Sequence, residues 1–465
     1  MNRSRAVRPV VAAVRSRPPA WYTVAWVLAL PLAALYLLWR SLRQSEYRRH
    51  WAERFLGHAP PPSGTGGLRI WIHAVSVGET RAAQPLLALL AHSHPQADFV
   101  LTHMTPTGRA AGADLVRAYP GRVTQRYLPY DLPFAVARFL DEVRPAAGVL
   151  METEVWPQLL HAADRRRIPI VLANARLSQR SLDKALRHRD LMRRAAVALA
   201  AVGAQSDADR ARIAQLFDGP VQVTGNGKFD MTPDAGQLDQ GRRLRAHLRT
   251  VLGERPLWLF ASTRDGEERL ILEALRRRAA ADVSASAPTE APAGAPAPLL
   301  LFVPRHPQRF DEVAALLAEQ GAPVLRRAAW ERAAPGSTGG PPLLLGDSMG
   351  EMALYYAMAD VALIGGSLLP LGGQNLIEAC ACGCPVVLGP HMFNFAVAAA
   401  DAVAAGAARR ARDADDALRA LAAICAAPST RDAMVAAALA FAGAHRGATA
   451  RTAALIEQAL RAVAA

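Results

Sequence analysis

The chain alternates short apolar runs with longer stretches that carry apolar residues at helical spacing. The first half contains the apolar runs LRIWIHAVS, ADFVLTHMT, GVLMETEVWP, IPIVLANARLS, VALAAVGAQS and PVQVTGNGKFD. The second half contains PLWLFASTR, APLLLFVPRHP, PPLLLGDSMGE, ADVALIGGS and CPVVLGPHM. Short buried strands that alternate with helix-length segments are typical of βαβ units and a parallel sheet. The pattern therefore predicts an α/β fold with two doubly wound, Rossmann-like domains, which we expect to face a central cleft.

Chain length and local composition suggest the domain boundaries. At 465 residues the chain is too long for one ordinary core and suits two domains of roughly 200 residues each. We place the switch near residues 228–240, which gives an N-terminal domain over 40–232 and a C-terminal domain over 233–465. The Ala/Pro-rich segment 284–297 has no periodicity, and we interpret it as a surface insertion in the second domain.

An uncharged segment near the N-terminus predicts a membrane anchor. Residues 21–39 carry no charge, and as a helix they would span roughly 28 Å, close to the hydrocarbon thickness of a bilayer. Aromatic side chains stand at both ends, and a basic tail over 1–20 precedes the segment. Because no small-residue cleavage site follows, we expect a single anchor or a deep interfacial helix rather than a signal peptide. Both flanks are basic, so charge alone does not orient the helix.

The composition indicates a globular protein with an anionic partner. Hydrophobic residues make up 51% of the chain, charged residues 20%, and the formal net charge is +14. Such an excess favours nucleic acid, acidic lipid or a phosphorylated substrate. No zinc-finger spacing and no RNP-like aromatic motif occurs, so we expect no nucleic acid as partner. Three of the four cysteines alternate in CACGCP, which is neither a disulfide framework nor a CxxC metal site.

Polar residues follow the apolar runs, at the strand ends where doubly wound sheets bind ligands. Neither GxGxxG after a first strand nor GxxxxGK[ST] occurs, so the usual dinucleotide and P-loop signals are missing from the sequence. The candidate residues of the first half are Glu79, Glu152, Glu154 and Lys228. Those of the second half are Arg264, Arg305, His306, Gly350, Glu351 and Ser367.

The segment GGSLLPLGGQNLIEA indicates a nucleotide site. Its paired glycines would let a phosphate approach backbone N–H groups, and a helix that opens near Asn375 would offer its positive end to an anion. Asn375 and Glu378 share one helix face, and the glutamate could accept hydrogen bonds from a ribose diol. An NxxE pair by itself would indicate only an exposed helix turn. The flanking glycines and the strand-end position favour nucleotide binding.

Eight motifs occur together in one order: SVGET, METEVWP, NARLS, GNGKFD, VPRHPQRF, GDSMGEM, GGQNLIEA and GPHMFNF. From the anchor to about residue 400, the chain resembles the 3-deoxy-D-manno-octulosonic acid (Kdo) transferases, which are glycosyltransferases that modify lipid A. The resemblance implies a GT-B architecture, CMP-Kdo as donor and the lipid A precursor lipid IVA as acceptor. It also implies a role in lipopolysaccharide core synthesis at the cytoplasmic face of the bacterial inner membrane.

The resemblance also implies roles for individual residues. Glu79 matches the catalytic base of the family, and Glu152 and Lys228 match positions that stabilise the transition state. The residues that match CMP contacts are Pro304, Arg305, Met349, Gly350, Glu351, Asn375, Leu376, Ile377 and Glu378. The sequence departs from the family pattern at Gln374, where histidine is usual, at Gly227, where leucine is common, and at Arg264-Asp265, where His-Glu is frequent.

The chemistry of the residues fits this assignment. A carboxylate on a strand-to-helix turn is rigidly held and can accept the proton of an attacking sugar hydroxyl. We expect the amides at the helix N-terminus to lower the pKa of Glu79 and keep it ionised. A purely structural role, in which Glu79 binds free amides and contributes about 1 kcal/mol, is the alternative. A single in-line attack would invert the anomeric configuration.

No cofactor or metal is expected. The histidines are scattered without HxxxH spacing, and Arg305 with the helix-end amides could neutralise the leaving phosphate. Two other functions are left as alternatives: a membrane-associated GT-B enzyme that uses a UDP-sugar, and a non-catalytic membrane scaffold. A preference for CMP over UDP would exclude the first, and loss of function in a Glu79 variant would exclude the second.

Overall fold

The structure is a computed structural model that describes residues 16–42, 44–58, 67–284, 296–332 and 342–464. The chain forms two compact units: unit 1 comprises Met1–Met231 and Arg446–Ala465, and unit 2 comprises Thr232–His445. Most of the basic tail over 1–20 and most of the Ala/Pro-rich segment 284–297 lie outside the described residues.

Unit 1 is built on a seven-stranded parallel sheet with the order β3-β2-β1-β4-β5-β6-β7. Its strands are β1 (Arg69–His73), β2 (Asp98–His103), β3 (Val123–Tyr127), β4 (Ala147–Met151), β5 (Ile170–Ala175), β6 (Leu199–Ala204) and β7 (Val221–Val223). Its helices before the second unit are α1 (Ala20–Ser41), α2 (Val77–Ser93), α3 (Pro106–Ala118), α4 (Pro133–Val143), α5 (Pro157–Arg165), α6 (Gln179–Arg187), α7 (Arg189–Ala196) and α8 (Asp207–Ile213). The strand order reverses between β1 and β4, which makes the carboxyl ends of these two strands the expected ligand position.

Unit 2 repeats this plan with the strand order β10-β11-β9-β8-β12-β13-β14, again all parallel. Its strands are β8 (Leu257–Thr263), β9 (Leu299–Pro304), β10 (Val324–Arg326), β11 (Leu343–Leu345), β12 (Val361–Ile364), β13 (Val386–Leu388) and β14 (Ala408–Arg410). Its helices are α9 (Ala235–Leu252), α10 (Glu267–Ser284), α11 (Phe310–Ala318), α12 (Met352–Met358), α13 (Leu376–Ala381), α14 (Ala396–Ala404), α15 (Ala414–Ala426) and α16 (Pro428–Ala444). Here the order reverses between β8 and β12.

Both faces of the unit 1 sheet are covered, and β1 shows this. Successive residues of a strand point to opposite sides of the sheet. Ile70 and Ile72 of β1 belong to one buried cluster, and Trp71 between them belongs to the cluster on the other face. All three side chains are fully buried. The continuous apolar runs in the sequence reflect this two-sided burial, and the predicted α/β class with two doubly wound domains is confirmed.

The C-terminal helix α17 (Ala448–Ala464) belongs to unit 1, although we expected 233–465 to form one C-terminal domain. Leu455 and Ile456 are buried in the same cluster as Ile70 and Ile72. The Asp230 carboxylate fixes the start of the helix by accepting from Gly447 N at 2.6 Å. The helix therefore covers a face of the first sheet, a long-range contact that no local sequence pattern encodes.

The apolar segment over 21–39 is helical, as predicted, within α1. Among the described residues, α1 is a helix that is both long enough and apolar enough to cross a membrane. Its mean hydropathy is 1.8. Pro31 lies inside it. Length and composition fit a membrane anchor, and the contacts that α1 makes with unit 1 are described below.

Candidate active site

Glu79 lies in the first turn of α2, directly after the central strand β1 of unit 1. The helix begins at Val77 with Ser76 as its N-cap. The Glu79 carboxylate turns back toward the strand: it accepts from Val75 N at 2.9 Å and from Ser76 Oγ at 3.1 Å. These two bonds fix the direction of the side chain, and the carboxylate is only partly buried.

The environment of Glu79 raises its pKa to about 7, which corrects the expectation that helix amides lower it. Burial is the largest cause, and the negative charges of Glu152 and Glu154 add to it. The bonds from Val75 and Ser76 act in the opposite direction but are outweighed. A carboxyl group with a pKa near 7 exchanges a proton readily at neutral pH, which suits a general base.

Glu152 stands at the carboxyl end of β4, next to β1 at the reversal of strand order. Its backbone is left-handed, with φ 61°, and its side chain is buried. Lys228 Nζ donates to Glu152 Oε1 at 2.7 Å, and Arg176 Nε lies 3.3 Å from Oε2. Burial opposes ionisation, but the attraction of Lys228 and Arg176 is larger and lowers the pKa of Glu152. Glu152 is therefore a fixed anion beside Glu79.

The turn that carries Lys228 is held to β5. Asn174 Oδ1 accepts from Gly227 N at 3.0 Å, and Asn226 Oδ1 accepts from Lys228 N at 3.0 Å. Asn174 is left-handed as well, with φ 53°. Two strained backbone positions at adjacent strand ends, Asn174 and Glu152, are typical of functional sites. Thus the structure brings Glu79, Glu152 and Lys228, all predicted from the sequence, to one edge of the sheet.

Four residues at this edge were not assigned roles from the sequence: Asn174, Arg176, His73 and Trp156. Asn174 and Arg176 stand in the NARLS motif at the carboxyl end of β5, and that strand-end position was the signal for them. Trp156 Nε1 donates to Glu154 Oε2 at 2.7 Å, and His73 Nε2 lies 3.9 Å from the same oxygen. Burial lowers the pKa of His73 to about 3, so this imidazole is neutral. Burial and the nearby Glu152 charge raise the pKa of Glu154.

In unit 2, cationic side chains collect at the carboxyl ends of β8 and β9. Pro304 ends β9, and Arg305 N donates to Thr263 O of β8 at 2.9 Å. Arg305 Nε donates to Gln374 Oε1 at 3.2 Å, so the glutamine that departs from the family pattern contacts a predicted phosphate ligand. Burial, together with the positive charges of Arg264, Arg305 and Arg309, lowers the pKa of His306. Three arginines therefore lie around His306, and one of them, Arg309, is paired with the buried Glu268 at 2.9 Å.

Two glycines after β12 bring backbone close to these cations. A Cβ on Gly365 would lie 2.4 Å from Ser262 O, so only glycine fits against β8. Gly366 is left-handed, with φ 68°, and a Cβ there would lie 3.2 Å from Gln374 Nε2 and 3.5 Å from Arg264 Cγ. Its amide is bound by the buried Glu267, which accepts from Gly366 N at 2.5 Å. The glycines therefore serve close packing around the loop, and the Gly366 amide has a partner within the protein.

Met349, Gly350 and Glu351 form the turn between β11 and α12. The Met349 side chain is 52% exposed, and a Cβ on Gly350 would meet nothing within 4 Å. Glu351 is fixed by Arg327, whose Nε donates to Oε2 at 3.1 Å, and by Ser348, whose hydroxyl donates to the same oxygen. This turn thus presents an exposed methionine and an open backbone beside a constrained carboxylate.

Asn375 caps the helix that carries the remaining predicted residues. Its Oδ1 accepts from Ile377 N at 3.1 Å, and α13 extends from Leu376 to Ala381. The side chains of Leu376 and Ile377 are buried and belong to the core of unit 2. Only Asn375 and Glu378 of this predicted set keep partly exposed side chains.

Comparisons with known proteins agree with one another. The family model for 3-deoxy-D-manno-octulosonic-acid transferase (kdotransferase) matches residues 49–231. The chain is 45% identical over 434 residues to the 3-deoxy-D-manno-octulosonic acid transferase of Bordetella pertussis, covering 90% of this chain and 95% of that protein. It is 37% identical over 383 residues to the enzyme of the same description from Haemophilus influenzae, covering 81% and 83%.

A solved structure extends the likeness to the fold. The glycosyltransferase from Rickettsia africae aligns with 85% of this chain and 99% of its own length, with a TM-score of 0.56 and 11% identity. At this identity the match concerns the fold alone. Together with the two parallel-sheet units, it confirms the GT-B class predicted from the sequence.

Proposed function

The chain belongs to the family of 3-deoxy-D-manno-octulosonic acid (Kdo) transferases, and on that premise we propose that it moves Kdo from CMP-Kdo to lipid IVA, with Glu79 as general base. That the protein is a Kdo transferase follows from the comparisons; the donor, the acceptor and the residue roles are the proposal. The observation that carries it is the placement of Glu79, partly exposed at the sheet edge with a pKa raised to about 7.

The proposed reaction is a single displacement at the anomeric carbon of Kdo. An acceptor hydroxyl oxygen forms the new bond to that carbon, and the bond to the phosphate oxygen of CMP breaks. The hydroxyl proton goes to the Glu79 carboxylate, and CMP leaves with the bonding electron pair. Because attack and departure occur on opposite faces, the product has the inverted configuration.

The pair Glu152–Lys228 is proposed to stabilise charge during this step. The ion pair is buried and is supported by Arg176, so it presents fixed charges that need no reorganisation during the reaction. The Lys228 ammonium lies at the carboxyl ends of the unit 1 strands, where it could balance the negative charge of the Kdo carboxylate. Glu152 keeps a negative charge beside Glu79 and thereby favours proton uptake by the base.

The donor nucleotide is proposed to bind unit 2 at the carboxyl ends of β8, β9 and β12. Arg305, positioned by Gln374, and Arg264 would neutralise the CMP phosphate. Pro304 and the turn Met349–Glu351 would line the nucleoside, and Asn375 with Glu378 would contact the ribose. Leu376 and Ile377 would act only through their backbone, because their side chains are buried.

No cofactor or metal is assigned to the transfer. Arginine side chains at the donor site can supply the positive charge that a divalent ion supplies in other transferases. The setting is proposed to be the cytoplasmic face of the bacterial inner membrane, where α1 holds the enzyme near its glycolipid acceptor. The acidic headgroup of that acceptor suits a chain with a net charge of +14.

A transfer assay tests the function and the base together. Purified full-length protein is given lipid IVA and CMP-Kdo generated in situ, and the product is followed by mass spectrometry. We expect Glu79→Gln to lower the transfer rate by about a hundredfold or more, the usual size of a general-base contribution. The assay is expected to be insensitive to a chelator.

Asp207→Asn is the matched control for Glu79→Gln. Asp207 also stands in the first helical turn after a strand of the same sheet, but it is exposed and pairs with the exposed Arg210 at 2.8 Å. We expect this variant to transfer Kdo at the wild-type rate. Full activity of Glu79→Gln would show that the base is another group, while no product from any variant would contradict the proposed donor or acceptor.

A further inference from the structure

The N-terminal half of α1 is fixed to unit 1 by polar contacts. Tyr22 Oη donates to Asp131 Oδ2 at 2.8 Å, and Gln158 Nε2 donates to Thr23 Oγ1 at 2.7 Å. Asp131 is fully buried and also accepts from Gln158 N at 2.9 Å and Leu159 N at 2.8 Å. Tyr22 therefore binds a carboxylate that also holds the first backbone amides of α5.

An aromatic contact continues this attachment toward the candidate active site. The Trp26 ring stacks on Trp156 with centroids 6.3 Å apart and lies 5.8 Å from Tyr130. Trp156 in turn donates to Glu154. The N-terminal half of α1 thus also contacts the loop that carries Glu154, one of the carboxylates near Glu79.

The C-terminal end of α1 is also tied back to unit 1. Arg48 Nε donates to Ser41 Oγ at 3.0 Å, so the chain after the helix folds against its last turn. The same segment then reaches the sheet: Arg54 Nη1 donates to Met104 O at 3.0 Å, and Glu53 Oε2 accepts from Tyr127 N at 2.6 Å. Both ends of α1 therefore lead directly into contacts with one globular unit.

These attachments conflict with a helix that crosses a bilayer. A helix of 22 residues is about 33 Å long, so a spanning orientation would place its two ends on opposite sides of the hydrocarbon layer. Here Tyr22 at one end and the segment after Ser41 at the other contact the same unit. Asp131 and the α5 start, which are polar and buried in protein, would have to lie on the far side together with Tyr22.

The face of α1 that points away from unit 1 is apolar along its whole length. Leu28, Leu32, Leu35, Trp39 and Leu42 recur at helical spacing, and Leu28, Leu32 and Leu42 are 71%, 68% and 75% exposed. A continuous apolar stripe of this length on a monomer marks an interaction surface. Exposed arginines stand beside both ends, Arg17 before the helix and Arg48 and Arg49 after it.

We propose that α1 is an in-plane anchor: it lies in the cytoplasmic leaflet of an anionic phospholipid bilayer, apolar face toward the acyl chains, with both ends on the side of unit 1. The arginines at its ends would meet acidic headgroups, as in other interfacial helices. The proposal rests on the proposed function only for the choice of the inner membrane. It places the Glu154 loop, through Trp26 and Trp156, next to the lipid surface that carries the acceptor.

Cysteine accessibility tests the orientation in the full chain. In a background with Cys380, Cys382, Cys384 and Cys425 replaced by serine, one thiol is placed at each end of α1: Ala20→Cys at its start and Ser45→Cys just after its end, both at exposed positions. A membrane-impermeant maleimide is applied to spheroplasts and to inside-out vesicles. We expect both thiols to react in inside-out vesicles and neither to react in spheroplasts.

Labelling of either thiol in spheroplasts would overturn the proposal, because that end would then lie in the periplasm. Reaction only after detergent solubilisation would also overturn it, because that end would lie within the hydrocarbon. Kdo transfer is measured on the same membranes. Expected labelling without transfer would contradict the proposed function alone, and transfer with labelling from outside would contradict the in-plane anchor alone.

A second experiment tests which surface touches lipid. Sedimentation with vesicles of phosphatidylethanolamine and phosphatidylglycerol measures binding of the wild type, of Leu32→Lys and of Leu439→Lys. Leu439 is a matched control, since it is a helical leucine of unit 2 that is 50% exposed. We expect Leu32→Lys to weaken binding about tenfold or more and Leu439→Lys to leave it unchanged. Equal binding by all three proteins would overturn the proposal.

Discussion

At the scale of single residues, the main result is that Glu79 is tuned by groups distant in sequence. The turn alone predicts a low pKa, since a carboxylate at a helix N-terminus is stabilised as an anion. Burial and the charges of Glu152 and Glu154 reverse that direction. The position of Glu79 could be predicted from the strand-to-helix pattern, but its protonation could not, because β1 and β4 become neighbours only in the folded sheet.

This tuning predicts a pH dependence of catalysis. The base must be deprotonated to accept a proton, so kcat/KM should rise with pH and level off above an apparent pKa of about 7. Glu154→Gln removes one of the negative charges that raise the pKa of Glu79. The rising part of the pH–rate profile should therefore move to lower pH. Rate profiles of the wild type and of Glu154→Gln measure the shift, with Asp207→Asn as control. An apparent pKa of kcat/KM that stays the same or rises in Glu154→Gln would contradict the assignment of Glu79 as the base.

The pair Glu152–Lys228 predicts an effect on stability that is separate from catalysis. Lys228→Ala leaves a buried carboxylate with Arg176 as its remaining partner, and loss of one member of a buried ion pair costs about 3 kcal/mol. Hydrogen exchange of the β4 and β5 amides measures the local free energy of opening. We expect the double variant Lys228→Ala/Glu152→Gln to recover much of that loss, since it buries no charge. A double variant less stable than the single one would refute this account.

At the scale of secondary-structure elements, burial explains which strands could be predicted. The apolar runs of the sequence contain β1, β2 and β4 through β9, and also β11 through β13, whereas β3, β10 and β14 lie outside them. Those three stand at sheet edges. An edge strand carries polar side chains, as VTQRY of β3 does, and its pairing depends on a neighbour that is distant in sequence. The apolar runs therefore identify every central strand of the two sheets but only one of the four edge strands, β7.

The helix α17 shows the same limit and carries the next prediction. Ile456 is fully buried against the first sheet, so Ile456→Ala should lower the free energy of unfolding of unit 1 by about 2–5 kcal/mol. Arg461→Ala changes an exposed position of the same helix and should have an effect within about 0.5 kcal/mol. Hydrogen exchange of the β1 amides reports on unit 1 and that of the β8 amides on unit 2. Weakened protection in β8 instead of β1 would contradict the assignment of α17 to unit 1.

At the scale of the whole molecule, two copies of one plan carry different chemistry. In unit 1 the reversal of strand order lies between β1 and β4, and carboxylates gather there. In unit 2 it lies between β8 and β12, and arginines gather there. In doubly wound sheets the fold predicts where a ligand binds, and the side chains at the strand ends predict which ligand. This division of charge supports a proton acceptor in the first unit and a phosphate site in the second.

The same division predicts where the nucleotide product binds. CMP should stabilise unit 2, by about 2.7 kcal/mol at a hundredfold excess over its Kd. The amides near Arg305, Gly350 and Gly366 should gain protection from hydrogen exchange. Arg305→Ala should abolish this gain, because Arg305 is held by Gln374 and is proposed to bind the phosphate. Arg419→Ala, which alters an exposed arginine of α15 paired with Asp416 at 3.2 Å, should leave it intact. Stronger protection by UDP than by CMP would contradict CMP-Kdo as donor and favour a UDP-sugar.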